Sequence, residues 1–161
     1  MIRTAWRVVK TKYATSAFDG YGALVNGGRW NSVGLSAVYL AESPALAVLE
    51  IMAHLDKSAL IPAFTIFEVR FDEKYVTEVA SEDLPAKWFK VPRHKGCEAI
   101  GDVWLRAGTT PLLHVPSVLL LVDGIPQHSN YILSPNHPKR SELKIGPPLP
   151  LNIDSRLIKR G

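Results

Sequence analysis

The chain has 161 residues, of which 47% are hydrophobic and 21% are charged, and its formal net charge is +4. This length suits one domain with a single core, and the mixed composition excludes a disordered or collagen-like chain. No apolar run approaches the roughly 18 residues of a membrane span, and the start has no apolar stretch typical of a secretory signal. We therefore expect one domain over 1–161, no membrane association and a cytoplasmic location.

The N-terminal half is predicted to contain strands at Thr4–Lys10 and Ala37–Ala41, separated by a long irregular loop over Tyr13–Ser36. Ser43 then provides an N-cap, and a proline occupies the first helical position. Together they predict a helix over Pro44–Leu55.

The rest of the chain is predicted to contain four strands and one helix. The strands are Ala63–Phe71, Tyr75–Val79, a long one over Leu112–Asp123 interrupted at Pro116, and Asn130–Leu133, and the helix is Glu98–Ala107. The proline-rich stretch Gly146–Pro150 is expected to be irregular. Because strands and helices do not alternate as regular βαβ units, an α+β fold is favoured over a doubly wound sheet.

Metal and cofactor signals are absent from the sequence. Cys97 is the only cysteine, and the five histidines lie far apart. One cysteine cannot form a disulfide within the chain or a cysteine zinc site, and no histidine pair has the spacing of a zinc motif. No Gly-x-Gly-x-x-Gly fingerprint is present either. We expect no metal and no bound cofactor.

Apolar residues occupy most of the helical wheel of Pro44–Leu55, and Glu50 and His54 share the remaining narrow polar sector. A helix that is apolar nearly all round is largely buried. Glu50 then either faces an internal cleft, where a carboxylate among apolar walls is poised for chemistry, or lies on a thin exposed stripe beside His54. The wheel leaves both interpretations open.

Two glycines come directly before Arg29 in Asn26-Gly27-Gly28-Arg29-Trp30-Asn31. Glycine permits close backbone approach to a ligand, and a forked guanidinium suits phosphate or carboxylate. The segment lacks the P-loop pattern. On its own it is better explained as a tight turn with Arg29 stacked on Trp30 than as an anion site.

Ser117 lies in an aliphatic segment, where a buried hydroxyl needs a hydrogen-bond partner. A core serine bonded to a carbonyl is the commoner case, and the Gly-x-Ser-x-Gly elbow of serine hydrolases is missing. Asn130 and Asn136 are candidate polar ligands, although asparagine near proline usually serves turns.

A basic and aromatic stretch at Lys87–Lys95 interleaves cations with Trp88 and Phe89, as a strand-binding platform does. A solvated loop whose aromatic residues pack on the core is the more common explanation of so short a stretch. A nucleic-acid-binding module is therefore kept as an alternative of a different class.

Taken together, several of these segments resemble the RES domain family over nearly the whole chain. They are Trp6-Arg7, Gly27-Gly28-Arg29-Trp30-Asn31, Tyr39 in Val38–Ala47 leading to Glu50, Ser117, and Asn130-Tyr131-Ile132-Leu133 with Asn136-His137-Pro138. The Arg, Glu and Ser of the family name map onto Arg29, Glu50 and Ser117.

The resemblance implies a single domain with mixed, split β-sheets flanked by helices, similar to ADP-ribosyltransferase toxins. It further implies a toxin of a bacterial toxin–antitoxin pair that degrades NAD as substrate, releasing nicotinamide by hydrolysis or by attack of inorganic phosphate. Some relatives are described as ADP-ribosylating a protein instead. The implied partner is an Xre-like antitoxin, which could assemble with the toxin into an oligomer, and no direct nucleic-acid partner is implied.

The resemblance also assigns roles to individual residues. Glu50, Arg29 and Tyr39 are expected to be catalytic: Glu50 stabilises the ribosyl cation, Arg29 clamps phosphate, and Tyr39 contacts nicotinamide or ribose. The alternative for Tyr39 is a half-buried strand tyrosine with its hydroxyl at the surface. The residues expected to bind substrate are Arg7, Asn31, Ser117 and Asn130.

Overall fold

Strands and helices alternate irregularly in the computed structural model, which describes residues 1–56 and 61–158. The strands are β1 (Ile2–Lys10), β2 (Val38–Ala41), β3 (Phe64–Asp72), β4 (Val76–Glu78), β5 (Leu112–Pro116), β6 (Leu121–Val122), β7 (Ile125–Pro126), β8 (Ser129–Leu133), β9 (Lys144–Ile145) and β10 (Leu149–Leu151). The α-helices are α1 (Tyr21–Asn26), α2 (Pro44–Ala53), α3 (Lys95–Ala107) and α4 (Ser155–Ile158). Short 3-10 helices cover Thr11–Ser16, Glu73–Tyr75, Ser81–Asp83 and Pro138–Glu142.

Eight strands form one mixed sheet in the order β10-β3-β1-β2-β8-β5-β4, with β9 also paired to β3. The β4–β5 pair is parallel and the other pairs are antiparallel. β1 pairs with β3 along its whole length, whereas it meets β2 at one pair only, Trp6 with Ala41. The sheet therefore has two halves that diverge beside this pair. The predicted α+β class, with one domain and a mixed sheet, is confirmed.

Helix α2 begins as the sequence predicts. The Ser43 side chain accepts a hydrogen bond from the Leu46 amide (3.1 Å), and Pro44 is the first helical residue. The helix ends at Ala53, because the ring of the next residue, His54, bonds the Glu50 carbonyl (2.7 Å). The expectation that α2 is largely buried is wrong: it packs one side on β1 and β2, while Leu49 on its outer side is 45% exposed.

The predicted long strand over Leu112–Asp123 ends at Pro116. The amide of Ser117 still bonds the His128 carbonyl (2.9 Å), which continues the β5–β8 register by one residue, and the chain then leaves this ladder and forms the small β6–β7 hairpin. In the apolar run after Pro116, Leu121 and Val122 form β6, and the residues before them serve packing. Val118 contacts the core around Trp30 and Trp104, and Leu119 contacts the core beneath α2.

Two stretches expected to be irregular contain regular structure. Tyr13–Ser36 includes most of a 3-10 helix and the six-residue helix α1. The proline-rich stretch leads into β10, which pairs with the edge of β3 and places Pro150 opposite Thr65. Proline is tolerated there because β10 is the edge strand of the sheet. Within the described ranges, no helix combines the length and the apolarity needed to cross a bilayer.

Candidate active site

A cleft of about 690 Å³ lies where β1 and β2 diverge. Its lining comes from these two strands, α2, the turn at 26–30, the loop at 91–93 and the segment at 116–119. Six of the seven residues predicted to form a site line this one cleft: Arg7, Arg29, Tyr39, Glu50, Ser117 and Asn130. The fold therefore gathers residues that are as much as 123 positions apart in sequence (130 − 7).

Glu50 projects from α2 into the cleft and is oriented through one carboxylate oxygen. The Asn130 side-chain amide donates to its Oε1 at 2.6 Å, and the Ser117 hydroxyl donates to the same atom at 3.1 Å. The nearby His54 ring bonds the Glu50 backbone carbonyl and not its carboxylate. The structure therefore supports the cleft interpretation of Glu50 over the exposed stripe beside His54.

Ser117 and Asn130 are themselves held firmly. Ser117 is 1% exposed, and its Oγ also accepts from the Leu119 amide (3.2 Å). Because the Asn130 amide nitrogen must face the carboxylate of Glu50, its Oδ1 points the other way, and this buried atom has no hydrogen-bond partner among the described residues. A buried acceptor without a donor is costly.

Arg7 fills the gap between the diverging strands. Its Nη1 donates to the Tyr39 carbonyl of β2 (2.9 Å), and its Nε donates to the Ala17 carbonyl. Burial lowers the pKa of Arg7 to about 10, and the carboxylate of Asp19 acts in the opposite direction. A buried guanidinium held mainly by carbonyl dipoles is stabilised by any anion that enters the cleft.

The Gly-Gly-Arg-Trp-Asn run forms a tight turn in which the Gly28 amide bonds the Asn31 carbonyl (2.9 Å). The Tyr39 hydroxyl donates to Asn31 Oδ1 (2.7 Å) and accepts from the Trp30 amide (3.0 Å), and it touches Gly28 so closely that a Cβ there would overlap it. Burial raises the pKa of the Tyr39 phenol, while the Trp30 hydrogen bond opposes the shift. Tyr39 is therefore a neutral hydroxyl that anchors the turn.

Asn31 does not contact the cleft. It is 0% exposed, and its amide nitrogen donates to the carbonyls of Ala23, Ser32 and Leu35 while its oxygen accepts from Tyr39. Both hydrogens of its amide nitrogen are used inside the fold. Asn31 therefore lies outside the lining of the cleft, and this geometry does not support direct substrate binding by it.

Arg29 tethers the turn to the loop at residues 88–92. Its Nη1 donates to the carbonyls of Trp88 (2.9 Å) and Lys90 (3.0 Å), and its Nη2 reaches the Pro92 carbonyl (3.4 Å). It does not stack on Trp30, which is buried at 2% exposure in the core. The predicted tight turn is present without the stacking of Arg29 on Trp30, and the guanidinium lines the cleft, where anion binding stays a prediction.

Two further residues were not found from the sequence. Arg93 lines the cleft and donates from Nη2 to the Asn26 carbonyl (2.7 Å). Asp102, buried in α3, accepts hydrogen bonds from the Ser32 amide (2.8 Å) and hydroxyl, and so fixes the end of the turn. Nothing in the local pattern marks either residue, because their partners lie at least 67 positions away.

The cleft combines one carboxylate with three guanidinium groups, those of Arg7, Arg29 and Arg93. Within 1–56 and 61–158, the arginines that form ion pairs are Arg3, Arg70 and Arg156, and none of them lines the cleft. The same part of the chain has no cluster of His, Cys, Asp or Glu suited to a metal ion. Asp19 acts on Arg7 without a contact of ion-pair length between these two described residues, and guanidinium groups that lack a paired carboxylate favour an anionic ligand.

The chain matches the model of the RES domain over residues 4–154. It is 33% identical over 153 residues to a protein of Yersinia enterocolitica named Toxin Res, covering 94% of this chain and 97% of that protein. It is 32% identical over 165 residues to the Prs ADP-ribosylating toxin of a Sphingobium species, covering 99% of both.

The fold is similar to that in the crystal structure of the M. tuberculosis MbcT–MbcA toxin–antitoxin complex. The superposition has a TM-score of 0.73 at 17% sequence identity and covers 94% of this chain and 85% of the other. At this identity the likeness concerns the fold alone. With the family match over residues 4–154 and relatives above 30% identity along nearly their whole length, the chain belongs to the RES domain family.

Proposed function

We propose that this protein is the toxin of a toxin–antitoxin pair and that it degrades NAD by cleaving the bond between nicotinamide and ribose. Membership of the RES family and the names of its relatives support the toxin assignment. The observation that carries the proposed reaction is Glu50, a carboxylate oriented by two donors in a cleft whose other charged lining residues are arginines.

The chemistry matches this arrangement. When the bond between ribose C1′ and the nicotinamide nitrogen breaks, the bonding electrons neutralise the pyridinium ring, and positive charge develops on the ribose. A fixed carboxylate stabilises a charge of this kind selectively in the transition state. Ser117 and Asn130 hold Glu50 in one orientation, so little reorganisation is needed when the charge appears.

The ribosyl cation must then gain a nucleophile. Water gives ADP-ribose and a proton, inorganic phosphate gives ADP-ribose 1″-phosphate, and a protein side chain gives an ADP-ribosylated protein. The name of the Sphingobium relative, an ADP-ribosylating toxin, supports the third outcome as the second candidate function. All three acceptors use the same bond cleavage at Glu50.

The other cleft residues have matching tasks in this proposal. The cations would hold the diphosphate of NAD, and Tyr39 would act by anchoring the turn that carries Arg29. Asn130 would act through its amide nitrogen, which holds the carboxylate of Glu50. NAD is the substrate, and no resident cofactor is needed.

A nucleic-acid-binding function has less support. The stacking platform expected at Lys87–Lys95 requires several exposed aromatic rings, but Trp88 is only 8% exposed and belongs to the core around α3, which leaves Phe89, at 41%, as the exposed ring of the stretch. The loop uses its backbone carbonyls to receive Arg29. A salt-dependent affinity for nucleic acid would restore this alternative.

An antitoxin partner is part of the proposal, since the structural neighbour comes from a toxin–antitoxin complex. The Xre type of that partner, a mixed oligomer and a cytoplasmic location remain predictions. Co-expression with the protein encoded by the adjacent gene, followed by co-purification and growth measurements, tests the pairing.

The direct test incubates the purified protein with NAD, with and without inorganic phosphate, and identifies the products by mass spectrometry. We expect free nicotinamide together with ADP-ribose, its 1″-phosphate, or a modified protein in a lysate. Glu42→Gln is a matched control, because Glu42 pairs with His128 and does not line the cleft. NAD that stays intact with the wild-type protein without phosphate, with phosphate and in a lysate would refute the proposed reaction.

A further inference from the structure

Two guanidinium groups cross in opposite directions between the turn at residues 26–31 and the loop at residues 88–93. Arg29 reaches from the turn to the carbonyls of Trp88 and Lys90, and Arg93 reaches from the loop to the Asn26 carbonyl. We call this pair of contacts, made by Arg29 and Arg93, the arginine clasp. It forms one wall of the cleft, and no acidic side chain of the described residues neutralises it.

The two arginines of the clasp differ in how many donors they have left. A guanidinium has five N–H groups. Arg29 directs three of them at carbonyls of the described residues, whereas Arg93 directs one at Asn26. Arg93 is also exposed, while Arg29 is half-buried. Arg93 therefore retains the larger number of free N–H groups in a position that lines the cleft.

Gly27 makes room for Arg93. Its φ is +68°, a conformation that side chains rarely adopt, and a Cβ at this position would lie 2.7 Å from Arg93 Nη1. The guanidinium consequently rests against the glycine backbone, with its position set by the turn. The arrangement holds the charge at the wall of the cleft instead of leaving it on a freely moving side chain.

We propose that Arg93 is a substrate-binding residue that grips the diphosphate of the dinucleotide, and that Arg29 is in large part a positioning residue that holds the loop carrying Arg93. The inference rests on the proposed NAD cleavage and assigns the phosphate grip to a residue outside the Arg, Glu and Ser of the family name. A forked guanidinium with free N–H groups can bind two phosphate oxygens at once, which a carbonyl-bound one does less well.

The first test compares steady-state kinetics of wild type, Arg93→Ala and Arg93→Lys with NAD and with nicotinamide riboside, which has the same scissile bond and no phosphate. A hydrogen-bonded charge contact of about 1.5–3 kcal/mol predicts that Arg93→Ala raises the KM for NAD roughly 10- to 100-fold with little change in kcat. The lysine variant should restore part of the affinity. Neither variant should affect cleavage of nicotinamide riboside.

Lys87→Gln is the matched control, because it removes an exposed cation of the same loop that does not line the cleft. An unchanged KM for NAD in Arg93→Ala would overturn the proposal. An equal loss on nicotinamide riboside would also overturn it, since that result means that Arg93 only supports the loop. A raised KM for inorganic phosphate with an unchanged KM for NAD would show that the group binds the co-substrate instead, and would contradict the assignment.

A second test separates this inference from the proposed reaction. Calorimetric titration of ADP into Glu50→Gln and into the double variant Glu50→Gln/Arg93→Ala measures how much Arg93 contributes to the binding of the phosphate groups, without turnover. We expect at least a tenfold weaker ADP affinity without Arg93. Equal affinities in the two proteins would refute the role of Arg93 even if NAD is cleaved, whereas an inactive wild type with Arg93-dependent ADP binding would refute only the proposed reaction.

Discussion

Replacing Asn130 with aspartate is the most informative single change at the Glu50 carboxylate. The variant keeps the size of the side chain but exchanges the amide nitrogen, which lies 2.6 Å from Glu50 Oε1, for a carboxyl oxygen. At an effective dielectric constant of about 20, two unit charges at this separation repel by roughly 6 kcal/mol. The two carboxyl groups will therefore share a proton, and the apparent pKa of the pair will lie well above that of a free aspartate.

This coupling gives the variant a pH dependence with a definite sign. Below the raised apparent pKa, the introduced carboxyl group is protonated and donates to Glu50 as the amide did. Above it, both groups are charged and the orienting hydrogen bond is lost. A lost hydrogen bond to a charged group, at about 1.5–3 kcal/mol, predicts that kcat/KM for NAD falls roughly 10- to 100-fold relative to wild type as the pH rises through this pKa.

The assay follows nicotinamide release between pH 5 and pH 10, at constant ionic strength, in wild type, Asn130→Asp and Asn136→Asp. Asn136 is exposed, bonds Ser36 (3.1 Å) and does not line the cleft, so its variant controls for the added charge. A constant activity ratio between Asn130→Asp and wild type at every pH would show that the Asn130–Glu50 contact has no part in the reaction.

Three substitutions test the support of the cleft. Gly28→Ala forces a Cβ into the Tyr39 hydroxyl and should lower the free energy of unfolding, measured by denaturant titration, by about 1–3 kcal/mol. Gly22→Ala is the control: it has open space around it and should leave the unfolding midpoint in denaturant unchanged or raise it. Tyr39→Phe leaves the buried oxygen of Asn31 without its donor and should cost about 1–3 kcal/mol in the same titration; an unaltered midpoint would mean that the hydroxyl does not anchor the turn. In Arg29→Lys, one ammonium group cannot span several carbonyls, so the loop at 88–92 should be cut faster in limited proteolysis. A proteolysis rate equal to that of wild type would contradict the role of Arg29 in holding this loop.

The sequence could predict features that depend on neighbouring residues. The Ser43 cap sets the start of α2, and Gly108, with φ +59°, ends α3 at the predicted residue. Strand β3 lies within one residue of its predicted bounds, because its alternating pattern spans nine residues. Only the family resemblance predicts that Glu50 and Ser117 lie in one site, because the helical wheel does not decide which way Glu50 points.

Features that depend on distant partners could not be predicted in this way. Asn31 has the residue type of a ligand contact, but the carbonyls that saturate it are supplied by the folded turn. The sequence predicts a strand that runs past Pro116 to Asp123, whereas β5 ends at Pro116. Aliphatic residues serve strand pairing and core packing alike, so the pattern alone does not separate the two. In the sequence, Arg93 is one of several cations in a basic stretch, and no local pattern distinguishes it from the others. Its position in the cleft depends on the space beside Gly27, which is distant in sequence.

The central claim is that the carboxylate of Glu50 stabilises the ribosyl cation, and nicotinamide release by Glu50→Gln under single-turnover conditions tests it most directly. The amide keeps the shape of the side chain but has no charge, so the cleavage rate should fall about 100-fold or more. The circular dichroism spectrum of Glu50→Gln should match that of wild type, and so should the activity of the control variant Glu42→Gln. Cleavage by Glu50→Gln at the wild-type rate would contradict the account.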